Sequence, residues 1–105
     1  MTHISHTFVF YIDPAHGFLA VLRADLAQYG LSARDFTQCS YVSEDGTRLY
    51  LEEDCDAGKF IEAYRARFGK PPIITERHIN SSAPHSNFIR RMPRNAAGEW
   101  KPFAH

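Results

Sequence analysis

Five apolar residues at strict helical spacing constrain this chain more than any other feature of it. Ala57, Phe60, Ile61, Tyr64 and Phe68 fall at i, i+3, i+4, i+7 and i+11, and predict a helix from about Asp56 to Phe68. The acids Glu52, Glu53, Asp54 and Asp56 precede it, where the helix dipole favours negative charge, and Asp54 or Asp56 is placed to cap free amides. Arg65 and Arg67 sit near the far end and Gly69 closes it. Burying Phe60 alone is worth about 2 kcal/mol, so Phe60→Asp is expected to unfold the domain.

A stripe this aromatic needs a surface to cover, and the rest of the chain supplies strands. Thr7–Ile12 is apolar on both faces and predicts a buried central strand, closed by the turn-former Asp13-Pro14. His16–Val21 follows at hairpin distance, with Gly17 expected to relieve the backbone where the chain reverses. Leu22, Leu26 and Tyr29 then share one helical face up to Gly30, and Ser32-Ala33-Arg34-Asp35 reads as another helical start. Gln38–Leu51 predicts a β-hairpin turning at Ser43-Glu44-Asp45-Gly46, with Cys39 as a small core residue. Pro71-Pro72 leads into a last strand over 73–79. Residues 80–87 are loop material, and Phe88–Met92 reads as a short strand or an extended arm.

The expected fold is therefore α+β: a single small sheet in the order β-β-α-β-β-α-β, covered on one face by two helices. Residues 1–92 form one domain, and 93–105 a basic and aromatic C-terminal tail in which Trp100 and Phe103 pin the chain. A chain of 105 residues has room for one core. No apolar run approaches the roughly 20 residues that span a membrane, and the N-terminus lacks signal-peptide character. The expected location is cytoplasmic, with no membrane association and with Cys39 and Cys55 as reduced thiols. Net charge is zero, yet residues 1–56 carry three bases against nine acids and residues 57–105 nine bases against three acids. Folding is expected to mix these charges on one surface.

Three groups of residues carry the functional expectations. The run Glu52, Glu53, Asp54 and Asp56 forms an acidic edge at a strand end entering a helix, read as capping and solvated charge or as a partner-binding patch. Arg90, Arg91, Arg94 and Lys101, interleaved with Phe88, Trp100 and Phe103, have the residue types of phosphate contact and base stacking. His16 and His78 are candidate acid–base residues. No Cys-x-x-Cys or His-x-x-x-His spacing occurs, so neither metal nor cofactor is expected. The acids around Cys55 oppose a thiolate, and no glycine-flanked serine, phosphate loop or dinucleotide fingerprint is present.

Asp13-Pro14-Ala15-His16-Gly17-Phe18-Leu19 and Tyr50-Leu51-Glu52-Glu53-Asp54-Cys55-Asp56, followed by His78 and Ile89-Arg90-Arg91, resemble a group of short proteins of bacteriophages, prophages and plasmid-bearing proteobacteria. The likeness spans roughly residues 7–92. Phe18 stands where a tryptophan is usual, and the tail beyond Met92 is extra. The resemblance implies a mobile-element accessory protein and carries over no catalytic residue. The expected function is a non-enzymatic protein-binding module, with inhibition of a host or antiviral defence system as its role and a protein as its partner. A nucleic-acid-binding accessory protein using the basic segment is one alternative, and a small enzyme using His16 or His78 with the acids of 52–56 is another. A homodimer is compatible with each.

Overall fold

Gly17–Leu22 alternates side chains between two apolar surroundings, and this strand (β2) forms the middle of a five-stranded mixed sheet. The other strands are β1 (Thr7–Ile12), β3 (Tyr41–Val42), β4 (Arg48–Glu52) and β5 (Ile73–His78), and the sheet order is β3-β4-β2-β1-β5. The structure, a computed structural model, describes residues 5–98. β1, β2, β4 and β3 pair antiparallel in turn, while β5 runs parallel to β1, with Thr7 opposite Ile73 and Ile12 opposite His78. β1 is thus second from the edge and only half-buried along most of its length, and the most deeply buried strands are β2 and β4. A run apolar on both faces does not distinguish these positions.

One face of the sheet presents Phe8, Leu19, Val21, Leu49 and Leu51, and the helix α1 (Gly58–Phe68) lays Phe60 and Tyr64 across it. Beside α1, Arg23–Tyr29 winds as a 3-10 helix rather than an α-helix. At three residues per turn Leu26 and Tyr29 eclipse, which delivers both to the same core. Gly30 then takes φ 73° and ends it. Gly17 serves packing rather than chain reversal: it has no left-handed φ, and a β-carbon there would run into the ring of Phe10 on the adjacent strand.

The opposite face is covered at one end by the C-terminal segment. Ile89 is fully buried against Phe18, Tyr41 and Tyr50, flanked by Ile79, Phe88 and Met92. Residues 88–92 form turns there, not a strand. Just beyond them Asn95 is buried at 1% exposure, and its side-chain amide donates to the carbonyls of Ala33 and Phe36 at 2.9 and 3.2 Å. At the other end of this face, Thr7, Val9, Ala20, Leu22 and Arg48 line an uncovered groove of about 320 Å³. Trp100, Lys101 and Phe103 lie outside the described residues.

Candidate functional site

Two features stand apart from the fold's ordinary packing, a buried polar corner where β2 begins and β4 ends, and the open edge of β5. The corner starts with Asp13. Its Oδ1 accepts the amides of Ala15 and His16 at 2.8 Å each, an Asx-type turn that sets His16 at the mouth of β2. Glu52, the last residue of β4, stands in register with Phe18 and has 0% exposure. The next residues, Glu53–Ala57, form a single π-helical turn before α1. Glu52 Oε2 caps that turn by accepting the amides of Asp54 and Cys55 at 2.9 Å each. The cap is therefore Glu52, not Asp54 or Asp56.

Glu52 Oε1 is left buried without a directed hydrogen bond. His16 Nδ1 nevertheless lies 3.2 Å from it, within ion-pair range, and Asp54 Oδ2 lies 3.9 Å from the same nitrogen. Among the described residues, His16, Glu52 and Asp54 are one histidine and two carboxylates whose donor atoms converge within 4.8 Å. His78 is not among them; it is exposed on β5.

Asp56 turns away from solvent altogether. Fully buried, it accepts the amide of Thr37 with both oxygens at 3.0 Å, the Thr37 hydroxyl at 2.9 Å and the Ser40 hydroxyl at 2.5 Å. Ser40 Oγ in turn accepts the amide of Glu52 at 2.9 Å. The expected acidic edge thus reduces to Glu53 and Asp54 on the surface, because Glu52 and Asp56 satisfy buried backbone donors. Cys55 Sγ lies 3.0 Å from Cys39 Sγ. Burial, the Cys39 contact and the Glu52 carboxylate push the Cys55 thiol up to about 12, so it is no ready nucleophile.

The basic segment is likewise divided. Arg90 donates from Nε and Nη2 to the two oxygens of Asp13 at 2.7 and 3.1 Å, and its side chain lies over the Phe18 ring. Asn87, fully buried, donates to Asp13 Oδ2 at 3.0 Å and to the Ser81 carbonyl at 2.9 Å. Its Oδ1 accepts the amides of Ile89 and Arg90. Arg94, itself exposed, covers the Tyr41 ring and donates to the Gln38 carbonyl, and Arg91 is exposed beside Phe88 and Met92. Lys101 lies outside the described residues. Asn87 and Asn95 escaped the sequence reading because nothing local distinguishes a buried asparagine from a loop one.

β5 is the open edge. All six of its side chains are exposed, including Ile73 at 64% and Ile74 at 39%. The amide of Ile73 donates to the His6 carbonyl and that of Ile79 to the Ile12 carbonyl, so odd-numbered residues face β1. By alternation Ile74, Glu76 and His78 turn their N–H and C=O groups outward. Ile73, Thr75 and Arg77 share a sheet face with Thr7 and Val9, two of the residues that line the groove.

Comparison of the chain with protein-family models, curated proteins and solved structures finds no match. No helix among the described residues is long and apolar enough to cross a membrane.

Proposed function

We propose that the chain is a non-enzymatic protein-binding module that takes an extended segment of its partner along β5 by strand addition. The observation that carries this reading is the edge itself. Among the described residues no strand pairs the outer side of β5, where Ile74, Glu76 and His78 present backbone donors and acceptors beside two exposed isoleucines. Natural sheets blunt such edges with proline, bulges or covering loops, and an edge left open is a template for another strand. Main-chain bonds would supply affinity, and exposed Ile73 and Ile74 would offer apolar contact to alternate side chains of the incoming strand.

The cellular role that goes with it is that of a small cytoplasmic accessory protein of mobile-element type, an inhibitor or adaptor acting on a host or defence protein. The nucleic-acid reading loses support from Arg90, whose guanidinium is committed to Asp13. The test is affinity capture from host lysate with nuclease present at low and moderate salt, comparing the native chain with Ile73→Lys/Ile74→Lys. A protein captured by the native chain and lost with the double variant supports the reading. Equal capture by both, or recovery of nucleic acid alone with loss as salt rises, removes it.

A further inference from the structure

We propose that His16, Glu52 and Asp54 form a binding site for a first-row divalent transition ion of the zinc class. The expectation of no metal rested on sequence spacing, which cannot see donors that a turn, a strand end and a π-helical turn bring together. Three observations carry the site. The donor atoms of the three residues converge within 4.8 Å. Glu52 is fully buried, and its Oε1 faces His16 Nδ1 at 3.2 Å without a directed hydrogen bond. Its other oxygen is fixed by two backbone amides, so the carboxylate has no freedom to turn that atom elsewhere.

Two lone-pair atoms at that separation require a positive centre between them, either a proton or a cation. The distances suit a cation. Two ligands about 2.1 Å from a tetrahedral zinc stand about 3.4 Å apart, and the separations here are 3.2 Å for His16–Glu52 and 3.9 Å for His16–Asp54. Asp54 is exposed and needs only a rotamer adjustment to close. Two carboxylates neutralise a divalent charge, which offsets the cost of burying Glu52. An imidazole in the set favours zinc and the later first-row ions over manganese, magnesium or calcium. The amides on Glu52 Oε2 supply the outer support that orients a ligating carboxylate. Three protein donors leave a further position on the solvent side, where Asp54 lies.

The test is titration of Zn²⁺ into the chelator-treated full-length chain, followed by calorimetry and melting temperature, with Co²⁺ as a visible-spectrum probe of ligand number. One equivalent is expected to bind and to raise the melting temperature. His16→Ala and Asp54→Asn are each expected to weaken binding at least about tenfold while keeping the native circular dichroism. His78→Ala is expected to bind as the native chain does. Cys55→Ser is also expected to retain binding; loss in that variant would move the site to the thiols and overturn the assignment. Failure of the native chain to take up Zn²⁺, Co²⁺ or Mn²⁺ would leave a proton between His16 and Glu52 and overturn it as well. Unchanged uptake by His16→Ala would do the same.

Discussion

Arg90 closes on Asp13 across 77 residues of sequence, through bonds of 2.7 and 3.1 Å that tie the C-terminal segment to the β1–β2 turn. Asp13 is buried, and Asn87 holds its second oxygen. The pair is therefore part of the fold, while its neighbour Arg91 is a surface residue. Arg90→Glu is expected to cost about 3 kcal/mol or more, since it leaves a buried carboxylate facing another. Arg91→Glu is expected to stay within about 0.5 kcal/mol of the native chain. Thermal or urea unfolding of the two single variants decides the matter; equal effects would contradict this division of the basic segment.

The same pair sets an acid limit. Burial raises the Asp13 carboxyl, but the Arg90 bond, the amides of His16 and Ala15 and the Arg90 charge outweigh it, so the group lies below its ordinary 3.8. A depressed carboxylate contributes in full above its unfolded value and loses that contribution as pH falls through its folded one. Stability is thus expected to decline in acid below the ordinary carboxylate range, and the decline to be shallower in Arg90→Met. Parallel pH–stability curves for the two proteins would contradict the assignment.

Asp56 is expected to behave as a core residue despite its place in an acidic run. It holds the Thr37 amide and the hydroxyls of Thr37 and Ser40, and Ser40 in turn holds the amide of Glu52. Asp56→Ala strands several buried donors and is expected to cost about 3 kcal/mol or more, whereas Glu53→Ala is expected to be near neutral. Denaturant unfolding of both variants measures the difference. A neutral Asp56→Ala would return that residue to the surface.

The helical stripe, the Asp-Gly hairpin turn and the strand after Pro71-Pro72 were legible because each is a local pattern of period or turn chemistry. Gly46 takes φ 76° at the hairpin turn, and Gly69 takes φ 75° at the end of α1. What the sequence concealed is long-range. Asp56 read as solvated charge because the Thr37 and Ser40 groups it holds lie 19 and 16 residues away, whereas the two amides that fix Glu52 are local and its burial is not. Arg90 read as a contact because its partner lies near the other end of the chain. His16, Glu52 and Asp54 were each singled out, yet their convergence depends on the pairing of β2 with β4. The open edge of β5 follows from a parallel pairing with β1 that no spacing announces.

Cys55 is expected to alkylate slowly at neutral pH and to speed up only as pH climbs toward its value of about 12. Burial and the neighbouring Cys39 and Glu52 groups all disfavour the thiolate. Iodoacetamide labelling followed by mass spectrometry across pH 7 to 10, with a denatured control reacting at the ordinary rate, checks this. Rapid modification of the folded chain near neutrality would contradict the site's electrostatics.

The most direct test of strand addition at β5 is a single backbone change, Glu76→Pro. The Glu76 amide points away from β1, so proline there removes an outward donor without breaking the sheet's own ladder. Affinity for the captured partner and unfolding stability are measured together. The prediction is stability within about 0.5 kcal/mol of the native chain with binding lost at least tenfold. Full binding by a stably folded Glu76→Pro chain would contradict the account.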